Sequence, residues 1–287
     1  LGNVVPSIVD RVRVVDMTGM GAFQEPYVIT ELDAKGGKVE ETAGTARTAS
    51  TDPTFGVAEI KPYELTVTSY VDRNISRLSP AIYYAKIYGM AMRAMRRELA
   101  KLIVNGDGQG TPDMYGMKNA KNQAGSEIFA SVNLSAINED TLDDLFYAYG
   151  GDEELGGNCR LYLNKKDLLA LGKLRGTNEK RRLFDIVPDA ANPNTGTIRE
   201  GGTIVPYSIS SKLTALSVSE KGSSAIQTMV YGDPMNYELG LFGPYTVRVD
   251  ESVKAVERML TILGDAMVGG NLIVDKGFVV ATLPANG

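Results

Sequence analysis

The chain contains no histidine. That absence removes Ser-His-Asp and Cys-His catalysis, histidine-ligated zinc and the commonest general base near neutral pH. Cysteine occurs once, as Cys159, so no internal disulfide can form and nothing points to an oxidising compartment. With neither a second thiol nor an imidazole to work with, Cys159 makes no zinc site and no activated nucleophile, and it reads as a buried apolar residue. No stretch approaches the ~18 apolar residues of a membrane span. Positive charge is in the minority, since 30 Lys and Arg against 35 Asp and Glu leave a net charge of -5. A protein that coats nucleic acid is usually basic. Low-complexity tracts are missing too, and position 1 is Leu rather than Met. A cropped chain and a proteolytically matured one would both start that way.

What remains is an ordinary globular composition, 43% hydrophobic and 23% charged over 287 residues. That length can bury a large core in one big domain or two ordinary ones. Residues 1–25 show little periodicity and read as an extended arm. "YVITEL" (27–32) is a short strand, broken by Gly36-Gly37, and residues 40–56 are rich in Thr, Ala, Ser and Gly. "KPYELTVTSYV" (61–71) then alternates Tyr63, Leu65, Val67 and Ser69 against Glu64, Thr66, Thr68 and Tyr70, a strand pattern. Two strands around a small polar tip suggest a long β-hairpin. An isolated two-stranded ribbon is marginal, so a neighbouring subunit is the natural cover.

The helical signal is strongest at 80–104. Ser79 can cap it, Pro80 suits its first position, and Ile82, Tyr83, Ile87, Met90, Met95 and Leu99 fall mostly on one side. Arg93, Arg96, Arg97 and Lys101 lie toward its C-terminal end, where cations complement the dipole. The 25 residues would make a rod of roughly 37 Å. After it comes "NGDGQG" (105–110), which resembles a phosphate-cradling loop at first sight. Such a loop should follow a strand and open a helix, and here it follows a helix C-terminus where carbonyls point. The turn is therefore read as structural.

Farther on, "INEDTLDDLFYAY" (137–149) reads as a helix capped by Asn138, with Glu139, Asp140, Asp143 and Asp144 as dipole compensation rather than metal ligands. "CRLYLN" (159–164) is a buried strand, followed by a helix from about Lys165 to Leu174. Residues 165–182 hold Lys165, Lys166, Lys173, Arg175, Lys180, Arg181 and Arg182 without interleaved aromatics, which favours an interface or a solvated face over a nucleic-acid groove. Residues 188–202 read as an exposed loop. Strands are expected at 203–209, 213–218, 226–231, 236–242 and 245–249, a helix near 251–257, the apolar "MLTIL" at 259–263, and a last strand at 271–283. The class is α+β.

In this order the segments resemble the major capsid proteins of tailed double-stranded DNA phages, typified by phage Hong Kong 97. The resemblance rests on five stretches in register. They are an arm and hairpin before a long helix; "NGDGQGTPDMYGM" (105–117); "LYLNKKDLLALGKLRGTNEKRRLF" (161–184); "GGTIVPYS" (201–208); and "VERMLTILGDAMVGGNLIVDKGFVVATL" (256–283). It covers roughly residues 60–287 by motif and the arm and hairpin by layout. It implies a Hong Kong 97-like fold with an N-terminal arm at 1–25 and an extended loop at 26–70. The peripheral domain would be 71–124 and 231–270 around spine helix 80–104, and the axial domain 125–230 and 271–287. It implies self-assembly as pentamers and hexamers around packaged dsDNA in a virion formed in the host cytoplasm. Expected partners are a scaffolding segment, a maturation protease that would leave Leu1 as the terminus, a portal protein and a decoration protein. No catalytic residue, metal or cofactor is expected, and no membrane.

One departure from the family pattern bears on chemistry. The type member joins subunits through a loop lysine and an asparagine, assisted by a glutamate. Here Arg47 and Thr48 stand at the loop tip, Arg258 at the asparagine's position and Asp265 at the glutamate's. A guanidinium is no nucleophile and Arg258 has no carboxamide to attack, so no isopeptide cross-link is expected. Subunit contacts are expected at Arg47, Thr48, Phe55, Arg93, Arg97, Arg181, Arg182, Arg258 and Asp265. Two other readings compete: an encapsulin-type cargo shell, whose members keep an unprocessed N-terminus, and a nucleotide or sugar-phosphate enzyme, for which no phosphate site can be placed.

Overall fold

Apolar side chains recurring every four residues build the molecule's main rod. Ile87, Ala91, Met95, Leu99 and Ile103 are all buried, and on a helix such positions stack along one side. They belong to α1, Pro80–Asn105. The computed structural model describes residues 7–32, 52–73, 80–108, 114–150, 155–176 and 180–285, so Ser79, Arg47 and Thr48 lie outside it. The front half of α1 departs from expectation. Ile82 and Met90, assigned inward from the sequence, are each 61% exposed, and Tyr84 and Tyr88 are exposed beside them. Only a narrow seam there touches the sheet, because Ile87 and Ala91 share a small separate cluster with buried Ile262 and the half-buried Val71, Tyr83 and Val247.

The glycine turn after α1 is built to close the helix. Gly106 N–H donates to Leu102 O at 2.8 Å and Met117 N–H to Ile103 O at 2.8 Å. Asn119 Nδ2 donates to Asn105 O at 3.0 Å and to Gly106 O at 3.1 Å. Carbonyls that a helix end would leave without partners are thus satisfied by the returning chain. Gly108 adopts φ +67°, and a Cβ there would lie 2.3 Å from the Tyr115 ring. The amide hydrogens of Gly106 and Met117 are spent on the helix, leaving no cradle formed by them.

Among the described residues the strands are β1 (Arg13–Asp16), β2 (Phe23–Thr30), β3 (Thr54–Ile60), β4 (Tyr63–Asp72), β5 (Ala130–Asn133), β6 (Arg160–Leu163) and β7 (Asp185–Pro188). They continue as β8 (Thr195–Glu200), β9 (Thr203–Ile209), β10 (Ile226–Gly232), β11 (Tyr237–Leu241), β12 (Thr246–Asp250), β13 (Met259–Leu272) and β14 (Phe278–Leu283). Two further helices are α2 (Thr141–Tyr147) and α3 (Lys165–Lys173). β13 organises the first sheet. Along one edge it pairs antiparallel with β4, from Met259↔Asp72 to Val268↔Tyr63. Along the other it pairs with β12 and then β11, and β1 adds to β11 in parallel. The second sheet runs β5-β14-β10-β6-β9-β8-β7, and β2 with β3 forms a separate two-stranded ribbon.

Two hydrophobic clusters share β14. Val280 packs with Met95, Leu99, Ile103 and Val268 under α1, while Val279 and Ala281 pack with Leu142, Leu171 and Phe184 under α2 and α3. A strand covered on both faces explains why "FVVATL" reads as a continuous apolar run.

Several sequence expectations need correcting. The partner of β2 is β3, not the run at 61–71, which joins the body as β4. Residues 13–16 of the arm are a sheet strand. The stretch 188–202 holds β8, paired on both sides. No strand forms at 213–218; Leu216–Val218 is a 3-10 turn instead. The segment 251–257 is a run of turns joining β12 to β13, ending on Arg258 at φ 57°. The final strand at 271–283 is broken by a turn in which Lys276 has φ 51°. Asn138 does not cap a helix end directly. Its Oδ1 accepts from Thr141 Oγ1 at 2.6 Å, and α2 starts only at Thr141.

Candidate assembly surfaces

Phe55, Arg93, Arg97, Arg181, Arg182 and Arg258 fall on four separate regions, and the fold keeps them apart. The first is the far end of the β2–β3 ribbon. Tyr27 lies buried across from Gly56, where any Cβ would come within 2.3 Å of its ring, so a glycine is needed for the close approach. Outward from this anchor, Val28, Ile29, Leu32 and Phe55 are all exposed, Phe55 at 63%. Phe55 stands directly opposite Val28. With Glu31 and Asp52 alongside, the ribbon end is apolar and acidic.

The second region is a groove of about 420 Å³ between the front half of α1 and the first sheet. Val67 and Val71 of β4, Ile262 of β13 and Ile87 of α1 line it, with Met90, Arg93 and Arg97 also on its wall. Neither arginine makes an ion pair among the described residues. The pairing Ser69↔Ile262 puts this set on the α1 side of the sheet, and strand alternation puts Asp265 on the opposite side. There Thr246 Oγ1 donates to Asp265 Oδ1 at 2.5 Å.

The third is the tip between β12 and β13, where Val253 and Val256 are exposed at 60% and 99%. Arg258 closes the tip. Its N–H donates to Ala255 O at 3.2 Å and its carbonyl accepts from Arg73 N–H at 3.1 Å. Arg73 pairs with Glu251 at 2.9 Å across the base. Arg258 and Asp265 lie seven positions apart on one extended segment, about 23 Å at the rise of a strand, so the two are not brought together.

Arg181 and Arg182 project from the loop after α3. Leu183 N–H to Leu174 O at 3.2 Å holds the two ends of that loop together, and both arginines are exposed without an ion pair among the described residues. The sequence reading missed the exposed Tyr84 and Tyr88, since the outer half of a helix carries the same apolar spacing whether it meets its own sheet or something else. It also missed an acidic group near α2. Burial raises the Glu200 carboxyl, and the charges of Asp143, Asp140 and Glu139 raise it further.

Burial pushes the Cys159 thiol up to about 11, which keeps it protonated and inert near neutrality. Among the described residues, no three His, Cys, Asp or Glu side chains come together in a way that could hold a metal. Among the described residues no helix is long and apolar enough to cross a membrane.

The comparisons with known proteins give one consistent result. No curated protein matches this chain. The capsid of an empty GTA particle superposes with a TM-score of 0.73 at 17% identity, covering 99% of this chain and 92% of that one. Chains from Microbacterium phage Oxtober96 and Mycobacterium phage Bobi superpose with TM-scores of 0.65 and 0.62, at 15% and 14% identity, covering 99% of this chain and 92% and 91% of theirs. At such identities the likeness speaks for the α+β fold. The phage capsid family model matches residues 2–283, nearly the whole sequence, and the chain therefore belongs to the phage capsid family as a structural shell protein of the virion.

Proposed function

We propose that the chain assembles as pentamers and hexamers into the icosahedral head shell around a phage double-stranded DNA genome, and that its copies are held together without covalent bonds. The observation that carries this reading is a complementary pair of surfaces on one molecule. The β2–β3 ribbon ends in exposed Val28, Ile29, Leu32 and Phe55 beside carboxylates, and the groove under α1 is apolar with two arginines that form no ion pair among the described residues. A head-to-tail contact of this kind repeats from copy to copy and closes into rings. In this reading residues 26–70 form the extended loop reaching a neighbour, 71–124 with 231–270 the peripheral domain, and 125–230 with 271–287 the axial domain. Phe55, Arg93, Arg97, Arg181, Arg182, Arg258 and Asp265 are contact residues, together with Arg47 and Thr48. A scaffolding segment, a maturation protease, a portal protein and a decoration protein are its partners, assembly takes place in the host cytoplasm, and the packaged DNA is held without sequence recognition. The chain does no enzymatic work.

Electron microscopy of the assembled protein, with the same sample on a denaturing gel, tests this. Closed icosahedral shells and a single band near 30.9 kDa are expected. A ladder of high-mass bands would overturn the non-covalent part. A small particle that never assembles would overturn the whole reading.

A further inference from the structure

A second cavity, of about 470 Å³, opens on the seven-stranded sheet and serves none of the surfaces above. Its lining is mixed, with apolar Phe129, Ala225 and Ile226 beside neutral polar groups. Gln227 of β10 pairs across from Thr282 of β14, and Thr282 Oγ1 lies 3.0 Å from Ser131 Oγ on β5. Thr214 borders it from the segment after β9, and Lys118 from the segment that follows α1. Lys118 N–H bonds Val104 O at 3.5 Å, which ties its backbone to the last turn of α1. Its side chain has no carboxylate within ion-pair distance among the described residues. Burial alone holds its ammonium below the ordinary lysine range, as expected of a cation removed from water without a counter-charge. Glu127 also borders the cavity, so its wall carries one charge of each sign and disfavours a dianion.

The geometry points to a binding site for a small organic acid, in which a singly charged carboxylate sits against Lys118 and accepts from the Thr214 hydroxyl, from whichever of the Ser131 and Thr282 hydroxyls is not donating to the other, and from the Gln227 amide. A cavity of this volume with a few convergent polar groups and a cation beyond ion-pair distance of any carboxylate among the described residues has the makings of a ligand pocket. The inference does not depend on the assembly reading, because its surfaces are separate from the groove and the ribbon.

Acetate protection of Lys118 from amine acylation tests it. The full chain is labelled before assembly, in sodium acetate or in sodium chloride of equal ionic strength, and labelling is read at peptide level by mass spectrometry. Exposed Lys166 serves as the internal reference. Acetate is expected to slow Lys118 labelling about fivefold or more once it exceeds Kd several times over, leaving Lys166 unchanged. Thr214→Val, at an exposed position, should need roughly tenfold more acetate for the same protection. Equal labelling of Lys118 in acetate and chloride would overturn the proposal, and so would equal protection in T214V. Protection that appears only in assembled shells, without acetate, would assign the cavity to a neighbouring copy and overturn it as well. Whether the chain forms shells is read separately, and failure to do so leaves the labelling result intact.

Discussion

Two single residues make the electrostatics of this fold measurable. Cys159 is buried near Tyr149 and Tyr231, with its thiol raised from 9.0 to about 11. Because the folded value lies above the unfolded one, the unfolded chain releases this proton first as pH rises. Stability should therefore fall by about 1–2 kcal/mol between pH 9 and 11 on this account. Chemical denaturation of the native chain and of Cys159→Ala across that range checks it, since the variant should show a flatter decline. Glu200 works in the same direction in a lower pH window. Its carboxyl is raised by burial and by three nearby carboxylates, so its charge is a burden above the ordinary carboxylate range and disappears below it. Glu200→Gln should raise Tm at pH 7 by about 2 °C. That gain should vanish on acidification as Glu200 takes up its proton, and scanning calorimetry at pH 7 and pH 4 would show whether it does.

At the scale of elements, one carboxylate joins a helix to a turn. Asp167 of α3 is fully buried, and its oxygens accept from Leu216 N–H at 3.0 Å and Ser217 N–H at 2.8 Å. Asp167→Ala leaves one buried and one half-buried donor without partners and should cost about 1–3 kcal/mol in urea unfolding, with Asp167→Asn costing less because one acceptor survives. This contact also shows where a sequence stops speaking. α1, α3, β6, β9 and β10 were all legible, because Pro80, Asn164 and unbroken apolar runs signal them locally. The turn at Leu216–Val218 was not, because what fixes it is a carboxylate 49 positions away. β8 was illegible for a related reason. "TGTIRE" is half Thr and Gly, and it becomes a strand only because β7 and β9 lie on either side. The ribbon's true partner, β3, straddles the end of the Thr-, Ala-, Ser- and Gly-rich stretch 40–56, and its pairing depends on Gly56 admitting the Tyr27 ring. Of the contact residues, none was marked by local pattern; the resemblance suggested them, and only the fold separates Arg93 and Arg97 from Asp265 by a sheet.

At the scale of the whole molecule, exposed surface should matter more for assembly than for folding. Arg93→Glu combined with Arg97→Glu reverses the charge of the groove wall without touching a buried side chain. Tm of the isolated chain should move by less than about 2 °C, as is usual for surface changes, while shell yield by light scattering should collapse. Raising salt should slow assembly of the native chain, since contacts between exposed charges weaken as the screening length shortens. Equal shell yield from the double variant would show that the groove is not a contact.

β13 also gives the molecule a mechanical character. Its 14 residues are paired along both edges, with β4 on one side and with β12 and β11 in succession on the other, and one short turn links it to β14 in the second sheet. Tension applied between the β12–β13 tip and the second sheet runs along this strand and loads its hydrogen bonds in shear, so many must fail together. Tension across the β2–β3 ribbon instead peels its bonds one pair at a time. The chain is thus a stiff tie-rod with a compliant arm, strong along the line that joins its two sheets and yielding where it reaches outward.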